Sequence, residues 1–275
     1  MSDHPHERSA SAGEPDRVTI AVENHVAVVT LSRPDKHNAL DPPMLDAIVA
    51  AGERLRSESG VRAVVLHGAG RSFCSGLDFP AVAASGGLEA FSGILDEPPP
   101  NHFQRAGHAW LDLPVPVIAA VHGNCLGGGL QIALAADIRI ASPDARLSVM
   151  EGRWGLIPDM SITRTLPRLV GIDVAKELTF TARTVSAEEA DRLGLVTRLA
   201  ENPLEAALAL AREIASRSPD AVRRAKRLFD EGWAGSADQT LALEALLQRE
   251  LIGTPNQLAA MTAAFSGQEP EFTDP

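Results

Sequence analysis

Pro116-Val-Ile-Ala-Ala-Val-His-Gly-Asn-Cys-Leu-Gly-Gly-Gly-Leu-Gln-Ile-Ala-Leu-Ala-Ala-Asp137 is the stretch on which the fold turns. Val117 to Val121 is a continuous apolar run, the pattern of a strand covered on both faces of a parallel sheet. Gly123 ends the run; Gly127, Gly128 and Gly129 follow, then an Ala- and Leu-rich segment that reads as a buried helix. Glycines at a helix start bare the backbone N–H groups and let a ligand come close to the main chain. Those first-turn N–H groups have no partner inside the helix and favour developing negative charge. That is the equipment of an oxyanion hole. The alternative is a tight strand-to-helix turn without chemistry. A dinucleotide fingerprint is ruled out, because the glycine spacing does not fit G-x-G-x-x-G.

Upstream, Arg71-Ser-Phe-Cys-Ser-Gly-Leu-Asp78 forms a second glycine-marked loop after a short apolar strand, Ala63 to Leu66. Two such loops can each give one N–H to the same oxygen. Further out, Val18 to Val22 and Val26 to Leu31 read as strands joined by a hairpin turn at Glu23-Asn24-His25. Asp41 reads as the N-cap of a helix that opens on Pro42-Pro43, carries Met44, Ile48 and Leu55 to a core and ends near Gly60. Val61 to His67 is the next strand. Phe79 to Pro100 is rich in Ala, Gly and Pro and weakly patterned, which suggests a mobile segment able to serve as a lid. Asn101 to Leu113 suits a helix; Ile138 to Ala141 and Arg146 to Val149 suit short strands. Strands alternating with helices imply βαβ units and a mostly parallel core.

After Pro158 the chain turns helical. Ser186-Ala-Glu-Glu189 has the spacing of a capping box, and Gly194 stops that helix. Leu204, Leu208, Ala211 and Ala215 make an apolar stripe, Leu243, Leu247 and Leu251 a second, and Leu258 to Phe265 a third. Stripes of this kind serve a core or a subunit contact. The division expected is a disordered tail over residues 1–16, an α/β core over 17–200 and a helical portion suited to oligomerisation over 201–275.

The 275 residues are 45% apolar and carry a net charge of −11, from 25 basic and 36 acidic side chains. An acidic chain argues against nucleic acid as partner, though a few local cations can still hold a phosphate. The two cysteines, Cys74 and Cys125, lack metal-ligand spacing and suit a reducing compartment. Residues 1–16 contain no apolar signal region, and no run approaches the roughly 20 apolar residues of a membrane span. A cytoplasmic protein without metal or membrane is the expectation.

Glu151 precedes Trp154, Leu156 and Ile157; a carboxyl pressed against such side chains has a raised pKa and can trade protons near neutral pH. The alternative is a surface glutamate in a loop. Asp159 is a second candidate, eight positions on, past the Gly155 and Pro158 turns. Gln131 follows the triple glycine by two positions; its amide can bond a ligand or water but cannot take a proton. His122 fits a hydrogen-bonded core histidine better than a base. Neither cysteine has a His or Asp in a nucleophile-activating relation.

Taken together, Arg33 to Leu40, Phe73-Cys-Ser-Gly-Leu-Asp78, Pro116 to Gly129 and Glu151 to Pro158 resemble the enoyl-CoA hydratase/isomerase (crotonase) superfamily, in its order and spacing, across Val18 to Phe265. The resemblance implies a crotonase-like α/β spiral of ββα units with a helical C-terminal portion, assembled as a homotrimer or hexamer. It implies an acyl-CoA thioester substrate, with coenzyme A as part of that substrate and no separate cofactor. It implies an oxyanion hole from the N–H groups of Cys74 and Gly128, and CoA contacts at Lys36, His37, Phe73 and Phe265. Family hydratases carry glutamates at the positions of both Gln131 and Glu151; here the first is an amide. Asp159 is similar to the aspartate of the superfamily's dienoyl-CoA isomerases. The family's C-terminal lysine appears as Gln268. The leading expectation is an enoyl isomerase that works through an enolate. Glu151 and Asp159 divide the proton transfers, with Asp159 nearer the thioester. Hydration by Glu151 alone, another enolate reaction, and a non-catalytic CoA-thioester binder are the rivals.

Overall fold

A computed structural model of the chain describes residues 16–87 and 92–275. The tail expected over residues 1–16 lies, Asp16 apart, outside the described residues. The chain opens on the hairpin of β1 (Val18–Glu23) and β2 (Val26–Leu31), whose turn places Asn24 and His25 at positive φ. Helix α1 (Pro42–Arg56) follows; the Asp41 side chain accepts the Met44 N–H at 2.9 Å, and the two prolines occupy first-turn positions where no N–H is needed. It ends at Arg56, short of the expected Gly60. Strand β3 (Ala63–Gly68) leads through the first glycine loop to α2 (Phe79–Ala84), α3 (Ser92–Leu95) and α4 (His102–Leu111). The segment expected to be a mobile lid thus forms two short helices, with 88–91 outside the described residues.

Strand β4 (Val117–Val121) is buried at all five positions, as its unbroken apolar run requires. After it come β5 (Asn124–Leu126), α5 (Gly128–Leu134), β6 (Ile138–Ala141) and β7 (Arg146–Ser148). The remainder comprises α6 (Ile162–Val170), α7 (Ile172–Thr181), β8 (Val185–Ser186), α8 (Ala187–Leu193), β9 (Arg198–Leu199) and α9 (Pro203–Ala215). The last three helices are α10 (Pro219–Gly232), α11 (Ala237–Leu251) and α12 (Pro255–Ser266).

The larger sheet runs β1-β2-β3-β4-β6-β9; β1 is antiparallel to β2 and every other pair is parallel. A smaller sheet, β5-β7-β8, carries the second glycine loop at its end. Strand alternation divides the core. Val64, Leu66, Val117, Ala119 and Val121 share a core with α1 and α4, whereas Ala63, Val65, Ile118, Ala120 and Ile140 face α9. On α9 the closest contacts come from Ala207, Ala211 and Ala215, all buried, with Leu204 and Leu208 flanking them. Small side chains let that helix lie close to the sheet.

Ser186 accepts the Glu189 N–H at 3.3 Å, and Gly194 ends α8 in the left-handed region. The outer helices follow a different rule. On α11 Leu247 alone is buried, and on α12 it is Asn256. Phe229, Trp233, Leu241, Leu246, Ile252, Leu258, Met261 and Phe265 stand out from α10–α12 into solvent, Phe265 at 86% exposure. The expected stripes on these helices therefore do not form the core of a single chain. No helix among the described residues is long and apolar enough to cross a membrane.

Candidate active site

The two glycine loops meet. A Cβ on Gly76 would stand 2.8 Å from the Leu126 carbonyl oxygen, and one on Gly127 would stand 3.3 Å from Glu151 Oε1. Both residues also hold positive φ, so glycine suits the backbone conformation at each, and at Gly76 the backbone contact excludes a side chain as well. At this junction opens a cavity of about 550 Å³ with a mostly apolar wall that includes Leu40, Leu45, Phe79, Phe103 and Ile157. Glu151, Asp159, Gln131, Gly128 and Leu77 line it as well.

Hydrogen bonding corrects the expected oxyanion donors. The Cys74 N–H donates to the Asn124 carbonyl at 3.0 Å, and the Cys74 carbonyl accepts the Leu126 N–H at 3.0 Å. Cys74 is therefore stitched into a parallel bridge with Cys125, fully buried, with its thiol pushed up to about 12 by burial. It has no N–H to offer. Leu77, three residues on, does. Leu40 donates to the Gly76 carbonyl at 2.8 Å and accepts the Asp78 N–H at 2.9 Å. In such a ladder the intervening peptide faces the other way. The Leu77 N–H thus turns from Leu40, and among the described residues it has no acceptor. Gly76, at positive φ, turns the chain immediately before Leu77. On the second loop, the Gly127 N–H goes to the Ser148 carbonyl at 2.9 Å, whereas the Gly128 N–H, first in α5, has no acceptor among the described residues.

Glu151 begins a short 3-10 turn that Gly155 closes in the left-handed region. With Pro158 this reverses the chain and returns Asp159 to the same cavity. Burial raises the Glu151 pKa, and the nearby Asp159 charge raises it further; burial likewise raises Asp159. Glu151 Oε1 accepts a hydrogen bond from Gln131 Nε2 at 2.7 Å, while Oε2 is enclosed without a partner. Gln131 Oε1 in turn accepts the Met160 N–H at 2.8 Å. A backbone N–H can only donate, so this contact fixes which end of the amide is oxygen and aims the NH2 at Glu151. Gln131, buried at 1% exposure, is thus a clamp between the two carboxylate-bearing segments. The sequence had left it free to bond ligand or water.

The expected CoA contacts fare unevenly. Phe73 is fully buried in the core, packed under the loop and closed to any ligand, which removes it. Lys36 is exposed, and His37 Nδ1 lies 2.9 Å from Ser72 Oγ. Ser75 links that loop to the cavity it lines, since its N–H donates to the His37 carbonyl at 3.0 Å. Phe265 lines no part of the cavity. Among the described residues no group of three or more His, Cys, Asp or Glu side chains has the arrangement of a metal site.

Comparison with known proteins matches residues 21–275 to the family described as enoyl-CoA hydratase/isomerase. The chain is 38% identical over 254 residues to a short-chain-enoyl-CoA hydratase of Clostridium acetobutylicum, covering 91% of this chain and 95% of that protein. It is 35% identical over 283 residues to the mitochondrial Delta(3,5)-Delta(2,4)-dienoyl-CoA isomerase of Rattus norvegicus, covering 96% of this chain and 84% of that protein. The crystal structure of an enoyl-CoA hydratase from Bacillus anthracis superimposes with a TM-score of 0.86 at 31% identity, covering 93% of this chain and 98% of that one. With a match over nearly its whole length and relatives on both the hydratase and the isomerase side, the chain belongs to the enoyl-CoA hydratase/isomerase, or crotonase, family of enzymes.

Proposed function

We propose that this enzyme shifts a double bond in an acyl-CoA thioester through an enolate, with the thioester oxygen held by the N–H groups of Leu77 and Gly128. The observation that carries the reading is the Gln131 clamp. Hydration needs a water held and activated for attack, and Gln131, a neutral amide turned to Glu151 and Met160, offers no second carboxylate to activate one. Double-bond migration needs only one proton removed and one returned. Two carboxyls with raised pKa values, Glu151 half-buried and Asp159 more open to solvent, line one cavity and suit that exchange. Glu151 packs against Gly127, which precedes the Gly128 donor, so Glu151 serves the carbon nearer the thioester and Asp159 the more distant one. This reverses the order expected from sequence. The outward position of Lys36, with Ser75 tying its loop to the cavity rim, favours the CoA phosphates there.

The test is isotopic. Incubated with a dienoyl-CoA in heavy water, the enzyme is expected to move the double bonds without adding water and to exchange protons at two carbons. Asp159→Asn should lower net turnover by about 10²–10⁴-fold and keep exchange only at the carbon served by Glu151. Product heavier by one water would instead favour hydration by Glu151. An Asp159→Asn variant that exchanges like the wild type would make Asp159 a bystander.

The exposed apolar side chains of α10–α12 favour an assembly that covers them. Light scattering is expected to give the mass of a trimer or of two trimers. A mass equal to one chain would overturn that expectation.

A further inference from the structure

The wall of the cavity contains two neutral donors that the proton transfers do not use. Asn101 and Gln104, at the start of α4, form a reciprocal cap. The Asn101 Oδ1 accepts the Gln104 N–H at 3.0 Å, and the Gln104 Oε1 accepts the Asn101 N–H at 2.9 Å. Both acceptors are carboxamide oxygens facing backbone N–H groups, so the orientation of each amide is settled by chemistry. The amino groups, Asn101 Nδ2 and Gln104 Nε2, are left over, and among the described residues neither has an acceptor. Both residues line the cavity, and Asn101 is only 7% exposed, so what remains open of it faces that space.

Gln104 is tied to the catalytic turn as well. Ser161 Oγ donates to the Gln104 carbonyl at 3.1 Å, and Gly107, one turn along α4, approaches the Met160 carbonyl so closely that a Cβ would stand 2.3 Å from it. The start of α4 is therefore fixed relative to Asp159-Met160. The two residues thus belong to a part of the cavity wall held in place beside the chemistry. Their neighbours in the cavity, Leu45, Phe79, Leu95 and Phe103, are apolar. A purely alkyl chain seated there would leave two donors dry and unpaired, an arrangement that costs binding.

We infer that the acyl chain of the substrate carries a neutral oxygen acceptor beyond the reacting carbons, a ketone, hydroxyl, ester or amide oxygen, received by Asn101 Nδ2 and Gln104 Nε2. The charge of the cavity selects neutrality. Among the described residues it is lined by no Lys or Arg, and Glu151 and Asp159 are the charged side chains that line it, so a carboxylate-ended chain meets repulsion without a counter-ion from them. The inference rests on the reading of this cavity as the acyl site and names the class of acyl group that fits it.

The experiment measures binding of saturated acyl-CoA thioesters, which undergo neither isomerisation nor hydration. A straight-chain acyl-CoA is compared by calorimetry with analogues in which one methylene at a time, along the chain, is replaced by a carbonyl, and with the same chain ended by a carboxylate. For the wild type, one carbonyl position is expected to bind about 10–100-fold more tightly than the plain chain, and the carboxylate more weakly than that carbonyl. Asn101→Ser keeps a helix-capping oxygen and removes the amino group; Gln104→Met leaves the Asn101 cap and removes the second. In each the preference for the carbonyl analogue should fall towards one, with circular dichroism unchanged. Equal affinity of wild type for every analogue overturns the inference, as does a preference that survives both substitutions. Because the ligands do not react, these outcomes stand whether the enzyme proves to be an isomerase or a hydratase.

Discussion

Glu151→Gln is expected to lower turnover by about 10²–10⁴-fold while leaving the fold intact. The substitution is nearly isosteric, and the new side chain keeps an oxygen for the Gln131 Nε2 donor that now reaches Oε1 at 2.7 Å. What is lost is the ability to take and return a proton, and among the described residues the other acid lining the cavity is Asp159, which we propose serves a different carbon. The pH dependence carries a separate signature. Burial raises the Glu151 pKa, so its base form appears only above the ordinary carboxylate range. Activity that begins with proton removal should therefore fall as pH drops through that raised value, and this acid limb should be missing from the residual rate of the variant. The sign for stability runs the other way. A carboxyl whose folded pKa is raised favours the fold while protonated and costs it as pH rises through that pKa. Removing the charge should leave thermal stability at alkaline pH unchanged or higher. Stopped-flow rates across pH, beside a thermal melt, check both parts. A variant that is folded, active and keeps the acid limb would assign the proton transfer elsewhere.

Much of this site could be read before any coordinates. An unbroken apolar run placed β4, and an aspartate before two prolines placed the Asp41 cap, because each depends on neighbours a few residues away. The pairing of Glu151 with Asp159 followed from Gly155 and Pro158, whose backbone preferences act locally. What could not be read was the direction of single N–H groups. Whether Cys74 or Leu77 offers its N–H depends on pairing with Asn124 and Leu40, residues fifty and thirty-seven positions away. The role of Gln131 was hidden for the same reason, since its two partners lie at Glu151 and Met160. Phe73 was misassigned because an aromatic in a loop motif looks available until the sheet beneath it is built. The leucines of α11 and α12 carry a stripe that periodicity cannot assign to core or to partner, as both bury apolar surface by the same physics.

The oxyanion donors provide the second large effect. Gly128→Pro deletes one of the two N–H groups proposed to hold the thioester oxygen, and loss of such a donor costs about 10²–10³-fold in kcat. Proline suits the first position of a helix, where Gly128 stands, so the backbone of α5 need not be broken. The ring does bring bulk. A Cβ at this position would meet Met160 Sδ at 2.7 Å and Leu40 Cδ1 at 2.8 Å, both ends of flexible side chains able to shift. Gly128→Ala supplies the matching control, because it adds the same Cβ and keeps the N–H. The alanine variant should lose activity only to the extent that Met160 and Leu40 crowd the acyl chain, which appears mainly in KM. The proline variant should lose the further factor in kcat, since the interaction it removes strengthens as charge builds on the oxygen. Comparing the pair therefore separates bulk from charge stabilisation. If alanine and proline at this position give the same kcat, the Gly128 N–H does not carry the developing charge, and the hole must be sought around Leu77 with a different partner.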